Sequence, residues 1–204
     1  MWSYILLLLL CSPSYSLFKQ LFRPAIEPSV SPLHIRFLTG SQLPKEFYQP
    51  LLTDLEKELD KPVNISFMNY FPFDPVPNNT VLIGHSLGGF FALLYAIRDK
   101  VSDTNCIDGC VLINSHFNER RTMPYLGVPL QSVQQPTLVL LDRHDTKLPL
   151  EKALDDYSLS VQRKDRTKKF LVDNGTHISR FTNETERQKT VQQVVDYLEL
   201  WNII

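Results

Sequence analysis

A serine is a useful nucleophile only when its hydroxyl is exposed, close to a base and beside donors that can hold a developing oxyanion. One stretch has the residue types for this, Gly84-His85-Ser86-Leu87-Gly88-Gly89, a G-x-S-x-G pattern. The apolar run Thr80-Val81-Leu82-Ile83 precedes it, and residues rich in Leu, Ala and Phe follow from Leu87 to Ile97. The predicted context is strand, sharp turn and helix, which this pattern needs if its serine is to stand exposed on a strained turn. Side chains two residues before and after that serine would collide across the turn, so Gly84 and Gly88 occupy those places. Gly89 then allows the helix to pack close to the sheet. The N–H of Leu87, at the start of the helix, is the natural first oxyanion donor, with the helix dipole favouring negative charge there. The chemistry implied is attack on a carbonyl carbon. An ordinary glycine-serine turn is the alternative reading. Nucleotide binding fits poorly, because the glycines lack G-x-G-x-x-G spacing and no phosphate-binding lysine follows. Zinc has no support, since there is no H-E-x-x-H and Cys106 and Cys110 have no histidine at finger spacing. No metal and no cofactor is expected.

The elements that must position this serine can be read from hydrophobic pattern. Strands are predicted at His34–Leu38, Val63–Met68, Thr80–Ile83, Cys110–Ile113, Thr137–Leu141 and Lys168–Val172. Helices are predicted at Glu46–Leu59, stopped by Pro62, at Leu87–Ile97, at Leu150–Leu159 and at Glu184–Trp201. Tyr70–Asn79 is a proline-rich loop, and Asn114–Gln135 is mixed and poorly periodic. Short strands that are apolar throughout, alternating with helices, imply a mostly parallel sheet buried between helical layers.

With Thr80–Ala96 in that arrangement, the sequence from about Leu33 to the carboxyl end resembles the α/β-hydrolase superfamily. The resemblance implies an α/β-hydrolase fold, a mostly parallel sheet flanked by helices, reduced at its N-terminus and without a large cap, spanning residues 33–204. It also implies a triad in the order serine, acid, histidine. Pro136–Pro149 looks like the family's strand, loop, acid and following proline, which puts the acid at Asp145. Asp142 is the rival, because it directly follows the strand where the family usually has glycine. The base falls at His177, in the loop after the last strand, where Gly175 would lend the loop flexibility. Ser86 would then give its proton to His177, whose tautomer Asp145 fixes. The second oxyanion donor belongs to the loop after the first strand. There Thr39-Gly40 stands for the family's common His-Gly, and Ser41 is assigned, with Gln42 as alternate. Of the other histidines, His85 is expected to pack the elbow, and His144 to be exposed or to line the entrance. Only some 20 residues separate the strand at Cys110–Ile113 from the next, so a multi-helix cap has no room. The site is expected to be shallow, or covered by Asn114–Gln135 and the Tyr70–Asn79 loop. That loop's Phe71, Pro72, Phe73 and Pro75 either form an apolar acyl pocket or serve packing alone. The expected activity is carboxylic ester hydrolysis through an acyl-enzyme, esterase- or lipase-like. Thioester or amide cleavage, or a catalytically silent fold used for interaction, are the alternatives. The expected partner is a small-molecule ester or acyl substrate, with peripheral contact to a membrane or lipid left open.

The chain has 204 residues, 43% hydrophobic, with a formal net charge of −1, and this balance gives no footprint for nucleic acid. It has seven glycines against fourteen prolines. About fourteen glycines would be ordinary usage at this length, so glycine is expected where the backbone demands it. Ile5–Cys11 is an unbroken apolar run, too short to span a bilayer and of the length of a signal-peptide core. Ser14-Tyr15-Ser16 supplies small residues for cleavage after Ser16, but no Lys or Arg precedes the run. Residues 1–16 are therefore a candidate signal peptide or hydrophobic tail. A signal would make the protein secreted or endomembrane, and otherwise it is cytoplasmic or organellar. Asn64, Asn78, Asn174 and Asn183 head N-x-S/T triplets, which matter only in a secretory pathway. Cys110 begins an apolar run and reads as a buried free thiol.

Overall fold

The sheet has six strands, β1 (Leu33–Leu38), β2 (Val63–Phe67), β3 (Thr80–His85), β4 (Ile107–Ile113), β5 (Thr137–Asp142) and β6 (Lys168–Asp173). All five pairings are parallel, in the order β2-β1-β3-β4-β5-β6. The computed structural model describes residues 31–70, 74–115, 133–154 and 167–204. The expectations for residues 1–16, for Phe71–Phe73 and for most of Asn114–Gln135 lie outside these. Pro32–Ile204 forms one compact unit.

The strands read as continuous apolar runs because both faces of the sheet are covered. Along β3, Val81 and Ile83 join one core while Leu82 joins the other. The first core lies under α1 (Gln49–Glu58) and α4 (Glu184–Leu200), through Leu51, Leu52, Leu55, Val191, Val194 and Leu198. The second lies under α2 (Leu87–Val101), through Phe90, Phe91, Leu93 and Ala96. Residues 150–154 are helical and bring Ala153 to that face.

Several elements differ in detail from the sequence expectation, among them α2, which runs on to Val101 rather than ending at Ile97. The helix expected from Glu46 begins as a 3-10 turn, Lys45–Tyr48, and becomes α-helical only at Gln49. Pro50 lacks an N–H to donate and is tolerated only within the first α-helical turn, so it sets that start. β4 begins three residues earlier than its apolar run. Asp108 and Gly109 hide the strand in the sequence, and Gly109 is small because a Cβ there would stand 2.4 Å from the Tyr197 hydroxyl. A short helix, α3 (Ser179–Thr182), precedes α4, and Asn183 separates the two by accepting the Glu186 N–H at 3.1 Å as an N-cap.

The strand order reverses between β1 and β3, whose following helices pass to opposite faces. Parallel sheets open a crevice at the carboxyl ends of such strands. The loop after β1 and the turn after β3, Ser86, meet there.

Candidate active site

Ser86 sits between β3 and α2 with φ 52° and ψ −121°, outside the regions an L-residue prefers. Its main chain is held from both sides. Its N–H donates to the Ile113 carbonyl at 3.0 Å, and its carbonyl accepts from the Ser115 hydroxyl at 2.8 Å. The glycines around it answer to space. A Cβ on Gly84 would stand 2.5 Å from the Gly88 carbonyl oxygen, and one on Gly88 would stand 2.1 Å from the Leu38 oxygen. Among the described residues no glycine has positive φ, whereas Ser86, Gln42 and Asn114 do. Close approach, rather than left-handed backbone, is what these glycines supply. Gly175 is a correction of the same kind. A Cβ there would meet the Ser179 hydroxyl at 2.3 Å and Asp142 Oδ1 at 2.8 Å, so its smallness makes room for Asp142 rather than loosening the loop.

The two aspartates after β5 have separate surroundings. Asp145 Oδ2 accepts from His177 Nδ1 at 2.7 Å, while its Oδ1 accepts the Lys147 and Leu148 N–H groups at 2.7 and 2.8 Å. The Asp145 side chain is 1% exposed and that of His177 16%. Asp142 is turned inward. Its Oδ2 accepts from Arg180 Nε at 3.0 Å and Asn114 Nδ2 at 2.7 Å, and Arg180 Nη2 lies 2.9 Å from Oδ1. The acid and histidine loops are also laced by their backbones, Arg143 N–H to Asp173 and His144 N–H to Gly175.

The main chain of His177 rests on the elbow. Its carbonyl accepts from His85 Nε2 at 3.0 Å and from Asn114 Nδ2 at 3.3 Å. The two imidazoles pack with centroids 4.7 Å apart. His85 is fully buried, as its expected packing role requires, and His144 is exposed. Leu87 begins α2, so its N–H has no intrahelical acceptor. Ser41 and Gln42 form the turn after Gly40, and Gly88 packs against the Leu38 and Thr39 carbonyls just before it. Asn114 and Arg180 carry much of this geometry and escaped the sequence reading. Arg180, a charge between Ile178 and Phe181, was the visible signal. Among the described residues no group of His, Cys, Asp or Glu could hold a metal ion, and no helix is long and apolar enough to cross a membrane.

No family model and no curated protein sequence matches the chain. Solved structures do. An esterase from Pyrococcus furiosus matches at TM-score 0.61 and 17% identity, over 84% of this chain and 84% of that one. Esterase 2 of Thermogutta terrifontis, solved phosphoramylated by tabun, matches at TM-score 0.62 and 12% identity, over 85% and 84%. A meta-cleavage product hydrolase from Pseudomonas fluorescens matches at TM-score 0.59 and 12% identity, over 82% and 90%. The chain has the α/β-hydrolase fold. In this α/β-hydrolase fold the connection from β4 to β5 is limited to residues 114–136, which leaves no length for a large cap.

Proposed function

We propose that the chain is a serine hydrolase that cleaves carboxylic esters through an acyl-enzyme, with Ser86 as nucleophile, His177 as base and Asp145 as the acid that orients it. The observation that carries this reading is the 2.7 Å pairing of His177 Nδ1 with Asp145, on a loop whose carbonyl is bound to the residue preceding Ser86. With Nδ1–H donated to Asp145, Nε2 is left as the proton acceptor. Ser86 Oγ attacks the ester carbonyl carbon and His177 Nε2 takes its proton. The oxyanion accepts the Leu87 and Ser41 N–H groups. As the carbonyl re-forms, the C–O bond to the alcohol breaks and His177 protonates the departing oxygen. Water attacks the acyl-enzyme by the same route and releases the acid and free Ser86. Asp142 is a poor candidate for the acid, because Arg180 and Asn114 already engage its carboxylate.

Labelling with a fluorophosphonate probe tests this. The intact chain should label, and Ser86→Ala should not. Absence of Ser86-dependent labelling overturns the enzyme reading and leaves a silent fold. Given labelling, p-nitrophenyl esters graded by acyl length, run beside acyl thioesters and anilides, decide the substrate class. Faster turnover of thioesters or anilides than of esters would replace the ester reading.

A further inference from the structure

The Thr39–Gly40 peptide group is gripped at both of its polar ends. Its carbonyl oxygen accepts from the Tyr70 hydroxyl, and its N–H donates to the Tyr48 hydroxyl at 2.8 Å. A peptide unit is planar and rigid, so bonds to its two opposite poles fix the orientation of the whole plane. The rings that carry these hydroxyls are themselves fixed. Tyr48 is fully buried against Phe37 and Phe181, each with centroids 4.9 Å away. Tyr70 stacks on Phe91 of α2 at 4.5 Å with planes 11° apart. Gly40 has no room for a side chain, since a Cβ would stand 2.8 Å from His85 Nδ1 and 2.9 Å from the Tyr48 oxygen.

The Tyr48 hydroxyl has a second partner, His85 Nδ1, at 2.9 Å. Because His85 Nε2 faces the His177 carbonyl, which can only accept, Nε2 carries the proton and Nδ1 accepts from Tyr48. The chain of donors therefore runs from Gly40 N–H to Tyr48, to His85 and to the His177 carbonyl. It joins the loop after β1 to the loop that carries the base. Burial pushes the Tyr48 phenol up to about 12 and raises that of Tyr70, so both remain protonated donors at neutral pH. The Gly40 N–H, spent on Tyr48, is also removed as an oxyanion donor, which leaves the next one, on Ser41.

We infer that Tyr48 and Tyr70 are positioning residues that clamp the Thr39–Gly40 peptide and so aim the Ser41 N–H at the oxyanion. This rests on the serine-hydrolase reading above. Tyr48→Phe and Tyr70→Phe keep the rings and remove only the hydroxyls. Loss of a whole oxyanion donor costs about 10²–10³ in kcat, and its misdirection should cost part of that, roughly 10-fold. Each variant should lose that factor in kcat on p-nitrophenyl butyrate with KM nearly unchanged. The double variant should lose less than the product of the two, since either change alone frees the plane. Tyr197→Phe removes another buried hydroxyl bond, 2.8 Å to the Pro136 carbonyl at the far end of the sheet, and should lower Tm without lowering kcat. Amide hydrogen exchange gives a readout independent of turnover, with Gly40 and Ser41 exchanging at least 10-fold faster in Tyr48→Phe. Unchanged kcat in both tyrosine variants, or unchanged exchange at Gly40 in Tyr48→Phe, overturns the clamp. A wild-type chain without Ser86-dependent turnover overturns the hydrolase reading instead, and the exchange rates then decide the clamp alone.

Discussion

Two carboxylates three residues apart, Asp142 and Asp145, are held by different partners and should answer differently to the same substitution. In Asp145→Asn the remaining oxygen stays with the Lys147 and Leu148 N–H groups, so the new NH₂ faces His177 Nδ1. The ring must then accept there and carry its proton on Nε2, where it cannot take one from Ser86. A loss of about 10⁴-fold in kcat with an unchanged melting temperature is expected, the size seen when a triad aspartate is so replaced. Asp142→Asn should fail differently. It strips charge from the partner of Arg180, whose side chain is fully buried. Removing one member of a buried pair costs about 3–5 kcal/mol, so denaturant melts should move far more than the rate constant of the folded fraction. If Asp142→Asn abolishes labelling at full stability, the acid has been misassigned. The thiols give a separate check. Burial pushes Cys110 up to about 12, whereas Cys106 is half-buried and its thiol donates to Asn78. Iodoacetamide at pH 8 should modify Cys106 and spare Cys110 until denaturant is added, as peptide mass spectrometry can show.

At the level of elements, the loop that carries His177 is flanked by a join between β6, α3 and α4. Arg180 Nη2 donates to Asp173 at 2.8 Å, and Lys189 and Gln193 of α4 bond the same carboxylate. Burial pushes the Asp173 carboxyl up, but the bonds from Lys189 and Gln193 and the charge of Arg180 outweigh it, and the net shift is downward. A carboxyl whose folded pKa lies below its unfolded value of about 3.9 stabilises the fold fully above that value. The contribution is lost as pH falls below about 3.9 toward the folded value. Wild type should therefore exceed Asp173→Asn in urea resistance at pH 6, and the gap should narrow at pH 3. A gap that is constant with pH would remove the carboxylate from the account. This join also shows where the sequence was mute. Strands β3 and β5 could be read because burial on both faces makes them apolar throughout, and Ser86 because its turn demands glycine on both sides. Asp145 and His177 were legible only through the family resemblance, as an order along the chain. The sequence offered no local sign of Asn114, Tyr48 or Tyr70. Their bonds run to partners 8 to 63 positions away, and a polar residue held by distant partners looks like any loop residue.

At the scale of the molecule, the described residues begin at Ser31, and among them the core starts at Leu33. The sheet, both cores and the candidate triad lie within the compact unit Pro32–Ile204. A chain beginning at Ser31 should unfold in one cooperative transition at the same midpoint as the full chain and retain Ser86-dependent labelling. Loss of cooperativity on truncation would show that earlier residues complete the fold. The all-parallel topology has one more outcome, in time. Parallel neighbours cannot be joined by tight turns, so each pairing must close a long loop before contacts reward it. The parts of the site sit near residues 40, 86, 145 and 177, and His177 arrives only with the last strand, at the edge of the sheet. During refolding, helical ellipticity should therefore recover before phosphonate reactivity, which would make labelling at Ser86 a clock for the final step of folding.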